Sequence, residues 1–236
     1  MESLGDRIKR YERVTQHVAT PRMPLMVRVD GRAFHTFTKG FKKPFDADLM
    51  AAMDTAAMIT AHSIDGCKAA YVQSDEVTFC MTDYDTLNTQ GWFGYELPKI
   101  ISLTASMMSV NFNRALERRL DGTVKSSAVF DSRAFSVPRE DVVNAFLWRA
   151  KDWERNSLQM LARSHFSTRQ LHGKKRADMH EMLHEKGVNW VRDCSERERN
   201  GTLFYKNVSW CKEHPTASYQ AFANRLEPLF AIPETE

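Results

Sequence analysis

The chain lacks the features that typify secreted, zinc-ribbon and membrane-spanning proteins. Its cysteines, Cys67, Cys80, Cys194 and Cys211, form no CxxC pair, which argues against a zinc ribbon and against a disulfide framework. Nowhere do about 18 uncharged apolar residues run together. Residues 1 to 20 carry charges throughout and contain no apolar segment of an export signal. We therefore expect a cytoplasmic protein that neither crosses a membrane nor is exported.

A strong charge of one sign is also missing. Lys and Arg number 33 against 30 Asp and Glu, a net charge of +3. Any nucleic acid must therefore be bound by local basic patches, because the surface is not uniformly cationic. The run HGKKR at 172–176 is one candidate for contacts with RNA phosphates, although a solvated start of a helix explains it equally well.

Apolar periodicity predicts an α+β chain. Alternating or β-prone segments, typical of strands, occur at residues 24–30, 69–73, 77–81 and 128–137. Apolar stripes at a spacing of three or four residues, typical of helices, occur at 46–64 and 95–120. Gly66 ends the first of these helices, and Asp121 with Gly122 ends the second.

The order strand, helix, strand, strand, helix, strand is the split βαβ arrangement of a ferredoxin-like domain. This fold is an antiparallel sheet with two helices on one face, and it is the palm architecture of many polymerases and nucleotide cyclases. We expect residues 1–137 to form a palm-like catalytic domain. Residues 138–236 are expected to form a helix-rich segment, with one possible strand at 202–210, packed on the palm as part of a single catalytic unit.

Three carboxylates are candidates for metal binding. Asp30 closes the first predicted strand, and Asp75 and Glu76 occupy the tip of a predicted hairpin, which we expect to be exposed and anionic. If those strands are neighbours, the three carboxylates converge. Hard oxygen ligands, including the Gly31 carbonyl, favour Mg²⁺, and two such ions suit phosphoryl transfer. Taken alone, Asp-Gly and Asp-Glu pairs are also ordinary turn residues.

Longer blocks around these acids resemble one enzyme family. The blocks are VRVDGRAFHTFT at 27–38, FKKPFD at 41–46, YVQSDEVTF at 71–79, PKIISLTAS at 98–106, FDSRAF at 130–135 and FLWRAKDWERNS at 146–157. They are similar to blocks of the tRNA(His) guanylyltransferase family over roughly residues 24 to 160. The resemblance implies an enzyme that adds nucleotides in the 3′ to 5′ direction to the 5′ end of tRNA, on a polymerase-like palm.

The resemblance also implies a set of functional residues. Two Mg²⁺ ions would be held by Asp30, Asp75 and the Gly31 carbonyl, with Glu76 as a further catalytic residue. ATP or GTP would be both the activating and the incoming nucleotide, at the nucleotide-binding residues Arg28, Arg32, Ala33, Phe34, His35, Lys43, Ser74 and Lys99. Contacts to tRNA or triphosphate would come from Arg133, Arg149, Asp152 and Asn156. A homotetramer, arranged as a dimer of dimers, is the state that the resemblance implies.

One block departs from the eukaryotic pattern. Residues 154–157 are Glu-Arg-Asn-Ser where the eukaryotic enzymes carry His-Ile-Asn-Asn. The chain therefore resembles the bacterial, archaeal and phage branch, whose members repair truncated tRNA 5′ ends. We expect template-dependent repair, with strict addition of guanosine to tRNA(His) as the alternative.

Three other functions have some support in the sequence. Residues 180–184, HEMLH, match the H-E-x-x-H motif of zinc proteases, but Trp190 stands where a third histidine ligand is expected. An amphipathic helix over 175–186 that buries Met179, Met182 and Leu183 explains the motif better. A palm-fold nucleotide cyclase is another candidate, but residues 73–76 are Gln, Ser, Asp and Glu and lack the Gly-Gly-Asp-Glu-type tip that diguanylate cyclases carry. A tRNA-binding module without catalysis would not need the intact carboxylates.

Overall fold

The computed structural model describes residues 2–121 and 126–232, so that Gly122, expected to end a helix, lies outside the described residues. Six antiparallel strands form one sheet: β1 Leu25–Gly31, β2 Cys67–Gln73, β3 Glu76–Met81, β4 Phe130–Ser136, β5 Thr202–Lys206 and β6 Trp210–Glu213. Their order is β4-β1-β3-β2-β5-β6. The first four strands have the order of a ferredoxin-like sheet, which confirms the α+β prediction.

The helices differ greatly in length. The longest are α3 Ala47–His62, α4 Leu97–Arg119 and α5 Val142–His165, with 16, 23 and 24 residues, and α1 Leu4–Arg13 precedes the sheet with 10 residues. The remaining ones are α2 Phe34–Phe37, α6 Thr168–Leu171, α7 Arg176–Glu185, α8 Trp190–Asp193, α9 Glu196–Asn200 and α10 Tyr219–Leu226. Short 3₁₀ segments lie at Trp92–Tyr95, Arg139–Asp141 and Glu227–Phe230.

Helices α3 and α4 cover one face of the sheet, as the split βαβ pattern predicts. The Asp46 carboxylate caps α3 by accepting hydrogen bonds from the amides of Asp48 and Leu49. Alternation along β1 turns Val27 and Val29 to this face, where they join a core that includes Phe112 of α4. Burial of these apolar side chains holds both helices on the sheet.

The C-terminal segment covers the opposite face and lengthens the sheet. Met26 and Tyr71 of the palm pack with Phe146 of α5 and Phe222 of α10. Strands β5 and β6 pair beside β2, so the single possible strand at 202–210 is wrong in extent. The chain turns at 207–209, where Val208 is 98% exposed, and returns as a second strand.

Helix α7 carries the HEMLH motif and is the amphipathic helix predicted for it. Met179 and Leu183 are buried, whereas Met182, also expected in the core, is only partly buried. Among the described residues, no helix is long and apolar enough to cross a membrane. The four cysteines are unpaired, and Cys211 is the partly exposed one.

A buried carboxylate connects α3 to the C-terminal segment. Asp54 is 6% exposed and accepts hydrogen bonds from Arg197 of α9 at 2.8 Å and from Thr202 of β5 at 2.9 Å. The ammonium of Lys212 on β6 lies 3.0 Å from it. Three elements that are distant in sequence therefore depend on one charge of α3.

We predict that Asp54→Ala lowers the free energy of unfolding by about 3 to 5 kcal/mol, because it leaves the buried Arg197 guanidinium without its partner. The measurement is urea unfolding followed by circular dichroism. Asp48→Ala is the matched control on the same helix, since its half-exposed carboxylate pairs with Arg119 at 3.7 Å and should contribute less than about 1 kcal/mol. Equal losses in the two variants would contradict the structural role of Asp54.

Candidate active site

The site is built at the end of β1. Asp30 is paired in register with Glu76 of β3 on one side and with Asp131 of β4 on the other. Burial raises the pKa of Asp30 to about 6, and the carboxylates of Asp75, Glu76 and Asp131 add to this rise by repulsion. A cation bound here would relieve that repulsion.

Asp75 comes from the turn that joins β2 to β3. Its main-chain carbonyl accepts a hydrogen bond from the Gly31 amide at 3.0 Å, which fixes the turn to the end of β1. Burial raises the pKa of the Asp75 carboxyl, while a hydrogen bond from the Ser74 side chain opposes the rise. Asp75 is thus a second carboxylate whose charge is poorly solvated, close to Asp30.

Glu76 has a different environment from the predicted one. It is the first residue of β3, only 7% exposed, and not part of an exposed tip. Arg149 of α5 donates two hydrogen bonds to its two oxygens, at 2.6 and 2.8 Å, and the Gln73 amide donates a third at 3.1 Å. The expectation of an exposed tip is therefore wrong at Glu76, because this carboxylate is buried against a bidentate arginine, although it does lie opposite Asp30 in the sheet.

The sequence also did not predict one acidic residue of the site, Asp131. Asp131 faces Asp30 across the β1–β4 pair, and only the strand register shows this. The described residues contain no group of three or more His, Cys, Asp or Glu side chains arranged to hold a metal ion. The available hard donors are therefore the two carboxylates of Asp30 and Asp75 together with main-chain oxygen at Gly31, a set whose chemistry suits Mg²⁺.

A pocket of about 450 Å³ opens beside these groups. Seven of the sequence-predicted residues line it: Gly31, Ala33, Phe34, His35, Lys43, Ser74 and Asp75. Sequence reasoning missed other lining residues, among them Phe41, Phe45, Met50, Trp153, Met160 and Arg197. These join the pocket from four different elements and loops, so that only the folded chain assembles them. The pocket combines an apolar wall with a cationic and acidic rim, as ligand pockets commonly do.

The backbone around the pocket is unusual. Ala33 and Ser74 adopt positive φ angles, 53° and 45°, which non-glycine residues rarely do. Ala33 is the N-cap of α2, and the first amides of a helix have no acceptor within it, which suits an anion in the pocket that Ala33, Phe34 and His35 line. Gly31 must be glycine because a Cβ there would lie 2.2 Å from the Phe34 ring. Strained backbone of this kind clusters at ligand sites.

The remaining predicted residues lie outside this pocket. Arg149, Asp152 and Asn156 form one network on α5, in which Asp152 accepts hydrogen bonds from Arg149 at 3.1 Å and from Asn156 at 3.3 Å. Arg28 lies beside Glu76, with 3.9 Å between its Nε and the carboxylate. The α5 network therefore positions Glu76 beside the pocket and not within it.

Three further predicted residues are on the surface. Arg32 is exposed, and its main-chain amide donates a hydrogen bond to the Val129 carbonyl at 2.8 Å. Arg133 is also exposed, and its guanidinium lies 3.1 Å from the Asp131 carboxylate. Lys99, in the first turn of α4, has its ammonium 4.4 Å from the centre of the Phe93 ring. It does not line the pocket.

The histidines of HEMLH lie in another part of the molecule. The His180 ring packs edge-on against Trp190 at 5.9 Å, and burial lowers the pKa of His180. His184 is exposed in the last turn of α7. These contacts account for the motif as part of the packing between α7 and α8.

Comparisons with known proteins identify the family. The model of the family described as "Thg1: tRNAHis guanylyltransferase" matches residues 5–138. A bacterial tRNA(His) guanylyltransferase (Thg1)-like protein in complex with ATP is 41% identical, with a TM-score of 0.85 over 91% of this chain and 93% of that chain. A bacterial protein of the same description in complex with GTP is 36% identical, with a TM-score of 0.76 over 91% and 92% of the two chains.

A curated relative extends the comparison to eukaryotes. The tRNA(His) guanylyltransferase of Schizosaccharomyces pombe is 28% identical over 203 residues, which are 80% of this chain and 75% of that protein. The family match spans more than half of the chain and includes β1, the β2–β3 hairpin and both carboxylates. The chain therefore belongs to the tRNA(His) guanylyltransferase family and is a nucleotidyltransferase.

Proposed function

We propose that this enzyme repairs the 5′ ends of truncated tRNAs by adding nucleotides in the 3′ to 5′ direction, each complementary to the base on the opposing strand. The observation that carries the proposal is a pocket that Asp75, Lys43 and the first residues of α2 line, with Asp30 outside the lining but next to Gly31, which lines it. The bacterial structures with ATP and GTP, which share this fold, support nucleoside triphosphates as ligands of the pocket.

Magnesium fits the donors that are present. Two Mg²⁺ ions would be held by Asp30, Asp75 and the Gly31 carbonyl, and their chemistry is to lower the pKa of an attacking hydroxyl and to neutralise phosphate charge. The raised pKa of Asp30 supports this, because burial and repulsion from Asp75, Glu76 and Asp131 disfavour its charge more than Arg133 favours it, and a bound cation would offset that penalty. Asp30 and Asp75 thus orient the reacting groups at the ends of the central strands.

Different sides of the pocket suit the phosphates and the base of a nucleotide. The Lys43 ammonium, the His35 ring, the Ser74 hydroxyl and the first amides of α2 suit phosphate oxygens. The apolar side, including Phe41 and Met50, suits a base and excludes water from it. Arg28, Arg32, Lys99 and Arg133 lie outside the pocket, and we assign them to the outer parts of the triphosphate or to RNA.

The reaction then has three steps. The 5′-monophosphate attacks the α-phosphate of ATP or GTP and releases pyrophosphate. The 3′-hydroxyl of the incoming nucleotide then attacks the activated 5′-phosphate and releases AMP or GMP, and hydrolysis of the new 5′-triphosphate to a monophosphate releases pyrophosphate. Glu76 is proposed to assist, held by Arg149, and Asp152 and Asn156 keep that arginine in place. Because Arg149 belongs to the C-terminal segment, we infer that residues 1–137 and 138–236 act as one catalytic unit.

Assembly and location complete the proposal. Family membership favours a homotetramer built as a dimer of dimers. Helix α1 has an exposed apolar stripe, Leu4, Ile8 and Tyr11, on which another copy can pack. The four unpaired cysteines fit a cytoplasmic location, where disulfides are rare.

Asp30→Asn and Asp75→Asn should each lower the rate of nucleotide addition by at least about 100-fold, because metal-assisted activation contributes several kcal/mol to such reactions. Thermal unfolding provides a second measurement. Mg²⁺ with ATP should raise the Tm of the wild type and not that of either variant. Without Mg²⁺ the variants should be at least as stable as the wild type, since each substitution removes repulsion. Full activity in either variant would overturn the metal assignment.

Glu76→Ala should behave differently from these two. It leaves Arg28 without its carboxylate and Arg149 with Asp152 alone, so we expect a loss of stability of about 3 kcal/mol as well as of activity. Glu76→Gln keeps one hydrogen bond and should unfold at a higher urea concentration than Glu76→Ala. If Glu76→Ala is inactive yet as stable as the wild type, the ion pair has no structural role.

Template dependence is tested with the wild-type enzyme by changing only the tRNA. Truncated, 5′-monophosphorylated tRNAs whose opposing base is each of the four letters should direct addition of the complementary nucleotide, and faster than GTP is added to intact tRNA(His). We expect this result because residues 154–157 are Glu-Arg-Asn-Ser and not the His-Ile-Asn-Asn of the eukaryotic enzymes. In this block Glu154 forms an ion pair with Arg176 at 2.7 Å. Addition of guanosine to tRNA(His) alone, whatever the opposing base, would favour the strict enzyme instead.

A further inference from the structure

An exposed tryptophan lies beside the carboxylate site and has no part in the proposed chemistry. Trp148, near the start of α5, is 58% exposed. Tryptophan usually buries most of its large apolar surface, and it is enriched where proteins contact other molecules. Its neighbours on the helix, Leu147 and Ala150, are buried, so the helix itself is firmly packed and presents the indole from a rigid base.

Two guanidinium groups hold the indole. The Cζ atoms of Arg149 and Arg28 lie 4.5 and 5.7 Å from the centre of the Trp148 ring. Both arginines are fixed in turn by Glu76, through the bidentate bond from Arg149 and the 3.9 Å approach of Arg28. An aromatic ring held among cations is attractive to nucleobases, which stack on the ring, and to the phosphates that accompany them.

The position of this platform relates it to the reacting groups. Arg28 and Asp30 are two residues apart on β1 and share a sheet face, so their Cα atoms are separated by about 7 Å. Trp148 and Arg28 lie outside the pocket that Gly31 and Asp75 line. The exposed Arg133 is paired in register with Arg28 and offers a further cation at the same place.

We propose that Trp148 is a stacking platform for the terminal unpaired base of the RNA, the base opposite the nucleotide to be added. The inference rests on the proposed function, since it takes an RNA 5′ end as the substrate. Stacking suits a template because every base has a π face, so the platform accepts all four letters and leaves their reading to base pairing. Trp148 is therefore a positioning residue, which sets the RNA end beside Asp30.

The test uses a truncated, 5′-monophosphorylated tRNA with 2-aminopurine at the unpaired opposing position. Binding to the wild type should quench its fluorescence. Trp148→Ala should abolish the quenching and raise the KM for this tRNA by about 10- to 100-fold, the range expected for one lost base stack, with the KM for ATP unchanged. Trp148→Phe should restore most of the quenching and bring the KM for this tRNA close to that of the wild type. Tyr219→Ala, which removes another exposed aromatic of the C-terminal segment, should match the wild type.

The outcomes separate this inference from the proposed function. If the wild type adds nucleotides and Trp148→Ala shows undiminished quenching and an unchanged tRNA KM, the platform is wrong and the function stands. If the wild type adds none, yet quenching depends on Trp148, the platform stands and the function fails. A change in the mass of Trp148→Ala by light scattering, with quenching intact, would assign the indole to an interface between copies and overturn the proposal.

Discussion

The ion pair between Glu76 and Arg149 is the interaction on which the arrangement of the site depends. It joins the first residue of β3 to α5, and so fastens the C-terminal segment to the end of the sheet where the carboxylates gather. By neutralising Glu76, it leaves Asp30 and Asp75 as the carboxylates that most need a cation. A buried pair of this kind is costly to break, which makes the geometry resistant to change.

Strain and repulsion are concentrated in the same small region. Ala33 and Ser74 have positive φ angles, the Gly31 amide is tied to the Asp75 carbonyl, and the pKa of Asp30 is raised by its neighbours. The positive φ angles and the repulsion around Asp30 lower the stability of the isolated chain, whereas the hydrogen bond between Gly31 and Asp75 supports it. That hydrogen bond also fixes the β2–β3 turn against the end of β1, which keeps the segments of Asp30 and Asp75 together for a ligand with metal ions.

Both faces of the sheet contribute to the carboxylate site at the end of β1. The face under α3 and α4 is an apolar core that orients β1, while the opposite face carries Arg28, Asp30 and the contacts with α5. The period of two along β1 produces this division, because each step along the strand reverses the side chain. The core therefore specifies the register, and the register specifies which charges meet.

The sequence by itself determined the palm. Alternation and helical stripes predicted four strands and two long helices nearly to their ends, and the blocks around Asp30 and Asp75 predicted the family, because these signals are local and each is complete within about ten to twenty residues. Tertiary structure alone decided that Glu76 is buried against Arg149, 73 positions away, that Asp131 faces Asp30, and that Trp153 and Arg197 line the pocket. The physical reason is that register, packing of α5 and ion pairing join residues through space, and no periodicity in the chain encodes which distant partners meet.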